Sequence, residues 1–97
     1  MRVFSQSTLA TFGRSHAAAR EPLRAWFAEL GRARWSGPED VKRQFASASF
    51  LAGDRVVFNI KGNAYRVVVA VKYEFHVLYI RFVGTHAEYD RIDAATI

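Results

Sequence analysis

Arg66, His86 and Tyr89 are the side chains of this sequence best suited to moving protons and charge around a phosphate. A guanidinium grips two phosphate oxygens at once through its planar fork. An imidazole changes charge near neutral pH and serves as base or acid. A phenol donates a proton or positions a neighbour. Asn59, Lys61 and Arg81 supply further amide and cationic groups, and Asp90 stands four residues after His86. These types match the cleavage of RNA by its own 2′-OH. A base removes the hydroxyl proton, an acid protonates the departing 5′ oxygen, and cations neutralise charge on the non-bridging oxygens. Taken singly, each residue has an ordinary structural role; only their combination carries the reading. Asp90 either orients His86 or simply occupies a helical turn.

Strand parity must bring these groups together. Gly62-Asn63 separates two alternating runs, and Gly supplies the positive φ of a tight hairpin turn. With Gly62 and Asn63 as the loop, Asn59 lies opposite Arg66, Ile60 opposite Tyr65 and Phe58 opposite Val67. One face is then Phe58, Ile60, Tyr65 and Val67, and the other carries Asn59, Lys61 and Arg66. A second turn at Glu74-Phe75 sets Val71 against Leu78, Val69 against Ile80 and Val67 against Phe82. On the other face, Val68 meets Arg81 and Arg66 meets Val83. Arg81 then lies diagonally from Arg66, so Lys61, Arg66 and Arg81 converge. Val57, Val68 and Ala70 share that face, which needs cover from the C-terminal tail or a partner. After the third strand, Thr85 and Glu88 have capping-box spacing. They start a helical turn with His86 and Tyr89 on one side.

The surrounding elements define an α+β fold, with N-terminal helices on one face of a small antiparallel sheet. Residues 1–50 read as mainly helical, 54–83 as a three-stranded meander and 84–97 as a C-terminal turn or helix, all in one domain. Val3-Phe4 reads as a short edge strand. Ser5 or Ser7 caps a first helix ending near His16. A second helix spans about 17–34, with a start at Arg20 or later because Pro22 belongs in a first turn. Its stripe is Leu23, Trp26, Phe27 and Leu30. Pro38 opens a third helix over about 39–45, with acids in its first turn. Residues 47–53 read as a loop.

The chain has 97 residues, room for one modest core. Fourteen Lys and Arg against nine Asp and Glu give a formal +5, a balance suited to polyanions such as nucleic acid or a ribosome, or to an acidic protein. The absence of cysteine excludes disulfides and thiolate metal sites. His16, His76 and His86 are not spaced as ligands, so neither a metal nor another cofactor is expected. No run is long enough to span a membrane, and the N-terminal Met1-Arg2-Val3-Phe4 shows no apolar signal-peptide region. The expected location is the cytoplasm. His16, at a helix end, and His76, at a turn, carry less than His86.

The segments FNIKGNAYR (58–66) and YIRFVGTHAEYD (79–90) resemble the signature of the HigB family of bacterial type II toxins. EPLRAWF (21–27), PEDVK (38–42) and FASASF (45–50) extend the likeness over nearly the whole chain. The resemblance implies a RelE/ParE-like fold and a ribosome-associated endoribonuclease that cuts mRNA in the A site during translation. It also implies a HigA-like helix-turn-helix antitoxin that binds the toxin and represses the shared operon. Arg66 matches a position where such toxins place a catalytic Arg. His86 and Tyr89 lie where they place acid and base groups, and Lys61, Arg81 and Asn59 fall to phosphate contacts. Two other readings stay open: a non-catalytic ParE-like toxin that blocks a protein such as gyrase, and a plain RNA- or ribosome-binding module. In both, Arg66 and His86 are dispensable for chemistry.

Overall fold

The computed structural model describes residues 1–97. Strand β1 (Arg2–Phe4) leads to helix α1 (Ser7–Ser15), a 3₁₀ turn over Ala17–Ala19 and helix α2 (Arg20–Leu30). Helix α3 (Pro38–Gln44) precedes β2 (Ser49–Leu51), β3 (Arg55–Ile60), β4 (Tyr65–Lys72), a 3₁₀ turn over Tyr73–Phe75, β5 (Val77–Thr85) and the single-turn helix α4 (His86–Tyr89). The strands form one sheet in the order β1-β5-β4-β3-β2. The fold is α+β as the patterning indicates, but the sheet has five strands and is mixed. β1 lies parallel to β5 on one edge, and β2 pairs with β3 on the other. β2 falls within the expected loop. Three residues among Ser and Ala carry too little alternation to mark a strand, and its turn is made by Gly53 and Asp54 at φ 73° and 62°.

Local chemistry explains most element ends. Pro38 sits at the start of α3, where its missing N–H is not needed, and Glu39 and Asp40 occupy the first turn. The Asp40 carboxyl accepts from Ser36 N at 2.8 Å, and that bond holds its pKa below the ordinary value. α2 stops at Leu30, before Gly31, rather than running on to Arg34. Neither serine caps α1: Ser5 takes a positive φ of 68°, and Gln6 precedes the helix without a side-chain cap.

The core lies between the helices and one sheet face. Leu23, Trp26 and Leu30 of α2 and Val41 of α3 pack against Val56, Phe58, Ile60, Val67, Val69, Val71, Leu78 and Ile80. Phe58 is the hub. Its ring centroid lies 5.3 Å from Trp26, 6.2 Å from Trp35 and 5.0 Å from Phe45. Trp35 keeps its polar handle satisfied by donating to Gln44 Oε1 at 3.0 Å.

The first hairpin has the expected register, with Phe58 opposite Val67, Asn59 opposite Arg66 and Ile60 opposite Tyr65. The second keeps its expected pairing only as far as Val69 with Ile80. A bulge between Val68 and Val69 then leaves Arg81 unpaired. Val68 meets Phe82 instead of Arg81, Val67 meets Val83 instead of Phe82, and Arg66 meets Gly84 instead of Val83. One extra residue in a strand reverses the alternation beyond it. Arg81 can therefore stay out of the core while Val83 enters it, and Phe82 turns to the second face.

There Phe82 joins Val57 and Val68 under Ala94, with Leu51, Tyr89, Ile92 and Ile97 packed around them. The cover anticipated for this face is thus the chain's own C-terminal segment.

Truncating Phe58 to Ala should lower stability by about 3–5 kcal/mol. Phe75→Ala, at a side chain that is 72% exposed, should stay within about 0.5 kcal/mol. Urea unfolding of the two variants checks the contrast.

Candidate active site

Arg66 stands at the start of β4, on the face opposite the helices, between Asn59 of β3 and Gly84 of β5. Its guanidinium carbon lies 4.8 Å from the centroid of the Tyr89 ring, a cation–π contact. Nη2 donates to Asn63 Oδ1 at 3.2 Å. Nε is buried without a hydrogen-bond partner. Trp26 Nε1, in the core, shares that condition. Asn63 enters the site through a contact that strand parity gives no means of finding, because it belongs to the turn.

The turn also changes the place of Lys61. It lies beyond the last paired residue of β3 with a left-handed φ of 53°, followed by Gly62 at 63°. Strand alternation therefore does not govern its side chain, which is exposed in the turn. Arg81 sits at the bulge and donates through Nε to the backbone oxygen of Ile97 at 3.5 Å. Arg55 donates to that same oxygen through Nε, at 2.8 Å, and through Nη2. The bonded cluster is accordingly Arg66, Asn63 and Tyr89, with Asn59 beside Arg66 in the register. Arg81 is tied to the tail, and Lys61 to the turn, rather than to Arg66.

Helix α4 positions the remaining groups. Its capping box is complete: Glu88 N donates to Thr85 Oγ1 at 3.2 Å, and Thr85 N donates to Glu88 Oε1 at 2.8 Å. His86 N donates to Ala64 O at 3.1 Å, which fastens the helix start to the first hairpin. Gly84 lets the chain pass beneath: a Cβ there would come within 2.5 Å of Phe82 Cζ and 3.0 Å of Glu88 Oε1. On this frame Tyr89 reaches Arg66 and packs 6.4 Å from the Phe82 ring. His86 Nδ1 lies 3.0 Å from Asp90 Oδ2. The imidazole is 45% exposed to solvent. The carboxylate at Nδ1 fixes the ring orientation and leaves Nε2 without a partner. Asp90 makes this contact from the C-terminal end of the same helical turn.

A second aromatic group flanks α4. His16 stacks on Phe12 with centroids 3.9 Å apart, and Tyr65 meets both rings edge-on. Read along the sequence, His16 only ends a helix; its nearness to α4 is a product of the fold. No helix is long and apolar enough to cross a membrane.

A small basic α+β domain, carrying an Arg–Tyr pair and an oriented histidine at one corner of its sheet, has the architecture of RelE-like toxins. The family model described as HigB_toxin, RelE-like toxic component of a toxin-antitoxin system, matches residues 19–92. The chain is 34% identical over 92 residues to the Escherichia coli K12 protein named mRNA interferase toxin HigB, a match covering 93% of this chain and 88% of that one. Proteins named mRNA interferase HigB from Escherichia coli O157:H7 and Shigella flexneri match to the same extent. The chain belongs to the HigB toxin family, the toxic half of a toxin-antitoxin system.

Two measurements check this geometry. A double-mutant cycle with Arg66→Ala and Tyr89→Ala should give a coupling of about 0.5–2 kcal/mol in urea unfolding. The Glu88 carboxyl sits below its ordinary value of 4.5, chiefly because it accepts the Thr85 N–H. Its folded pKa is thus lower than its unfolded one, so its contribution is complete above pH 4.5 and is lost as pH falls through the depressed folded value. The Thr85 amide resonance should titrate with a midpoint under 4.5 in the wild type and not in Glu88→Gln.

Proposed function

We propose that this chain is an mRNA interferase that cuts translated messages on the ribosome. The attacking group is the 2′-OH of the nucleotide on the 5′ side of the cut. A base takes its proton, the oxygen bonds to the adjacent phosphorus, and the P–O5′ bond breaks as an acid protonates the leaving oxygen. The products are a 2′,3′-cyclic phosphate and a free 5′-OH, so atoms balance with no added reactant. Arg66, His86 and Tyr89 together offer the proton transfers and the positive charge this step requires.

The observation that carries the reading is the guanidinium of Arg66, held over Tyr89 next to a helix that begins with an Asp-bound His86. Its fork suits the two non-bridging oxygens of the scissile phosphate. His86 Nε2 takes or gives the proton, with Asp90 steadying the ring. Tyr89 sets the Arg66 plane and offers a hydroxyl to the same phosphate. Asn59 and Lys61, at the hairpin end, and Arg81, at the bulge, serve neighbouring phosphates.

The ribosome fits the charge. A net +5 surface draws much of its affinity from phosphate contacts, which weaken as salt rises. The partner in the toxin-antitoxin pair is a HigA-like helix-turn-helix protein, and the setting is the bacterial cytoplasm. Because the tail already covers Val57 and Val68, the antitoxin has no bare apolar patch to seal there.

Induction of the wild type, Arg66→Ala and His86→Ala in bacteria, with mRNA 5′ ends mapped, tests the proposal. Cuts should fall inside translated codons and drop by roughly 10²–10⁴-fold in either variant. Intact mRNA after wild-type induction would defeat the nuclease reading, and DNA damage in its place would point to a ParE-like block of gyrase.

A further inference from the structure

Away from the Arg66 corner, a trough lies between α1 and α4. Its volume is about 460 Å³, within the range of small-ligand sites. Thr8, Thr11, Ser15, Phe12, His16 and Glu88 line it. We propose that this trough is a nucleobase subsite: Phe12 and His16 form its stacking wall, and the unengaged oxygen of Glu88 reads an exocyclic amino group. The proposal takes its ligand class from the nuclease reading above.

The wall is already assembled. The Phe12 and His16 rings are nearly parallel, with an 8° angle and centroids 3.9 Å apart. Tyr65 braces them edge-on at 5.7 and 6.2 Å. His16 Nδ1 is engaged, 3.3 Å from Phe12 O and 3.0 Å from Ser15 Oγ. Its Nε2 makes no hydrogen bond within the chain and remains for a ligand. Aromatic faces hold bases whatever their sequence, because every base has a π-face.

Selectivity comes from Glu88. One carboxylate oxygen accepts the Thr85 N–H, and the other has no partner. An ionised carboxylate only accepts hydrogen bonds. Adenine, cytosine and guanine each offer an amino group to it, whereas uracil offers a single ring N–H between two carbonyls. Amino-bearing bases are therefore preferred over uracil. The location suits the next nucleotide of a bound strand. Glu88 is two residues from His86 on one helical turn, and Tyr65 is the neighbour of Arg66 on β4, with its side chain on the other face. A strand whose phosphate lies at Arg66 and which bends around α4 delivers an adjacent base to the trough.

Titrating the full chain with AMP, CMP, GMP and UMP, while following the ring protons of His16, Phe12 and His86 by NMR, separates the two sites. AMP, CMP or GMP should shift the His16 and Phe12 rings saturably, and UMP more weakly. His16→Ala should weaken binding roughly tenfold or more. Glu88→Gln keeps an oxygen for Thr85 and turns the free edge into a donor, so preference should move toward UMP. His16 and Phe12 signals that no nucleotide moves, or a base preference unaltered in Glu88→Gln, would overturn the subsite. In mapped cleavage sites, His16→Ala should still cut but lose its base bias beside the cut, and an unchanged bias would also overturn it. Saturable His16 shifts in a chain that cuts no mRNA would uphold the subsite and remove only the nuclease reading.

Discussion

A single unpaired residue, Arg81, reorganises everything that follows it in β5. Side chains alternate strictly along a strand, so without the bulge Phe82 would face the helices and Val83 the opposite surface. With it, Val83 completes the main core, Phe82 becomes the floor for Tyr89, and Gly84 rather than a branched side chain lies across from Arg66. That last change leaves room for the Phe82 ring, on which Tyr89 packs on its way to Arg66. Bulges are common beside active sites because they re-aim side chains at the cost of one ladder position. Here the re-aimed groups are Phe82, Val83 and Gly84, which support the corner where Arg66 and Tyr89 meet.

The sheet also divides the labour between its faces. One carries the aromatic core around Phe58, where α2 and α3 dock. The other is half sealed by Ile92, Ala94 and Ile97, which cover Val57 and Val68. Arg55 and Arg81 hold the Ile97 oxygen and so pin this cover. What remains open on that face is the corner where β4, β5 and α4 meet, with Arg66 and His86 at its rim. The chain thereby exposes its polar chemistry without exposing the apolar surface that lies next to it.

Much of this was legible in the residues. The Gly62-Asn63 hairpin register follows from turn chemistry and alternation, and the capping box follows from Thr85 and Glu88 spacing. The helices α2 and α3 follow from periodicity and from Pro38. What was not legible depends on the third dimension. A bulge is invisible where both registers present Val, Phe and Ile to some apolar surface, as at 67–69 against 80–83. The edge strand at Val3-Phe4 was readable, but its parallel pairing with β5 was not, and the short β2 gains its status only by pairing with β3. Lys61 looked like a strand residue because parity was extended one step past the last ladder pair. His16 looked idle because seventy residues separate it from His86.

The central claim is that the 2′-OH of the message attacks its own phosphate at the Arg66–His86 corner. The most direct measurement uses purified toxin with ribosomes programmed by an mRNA bearing one 2′-deoxynucleotide immediately 5′ of the cut. The account predicts that cleavage at that phosphate disappears, while an all-ribose message yields a 2′,3′-cyclic phosphate and a 5′-OH. Continued cleavage at the deoxy position, or products ending in a 5′-phosphate, would contradict it.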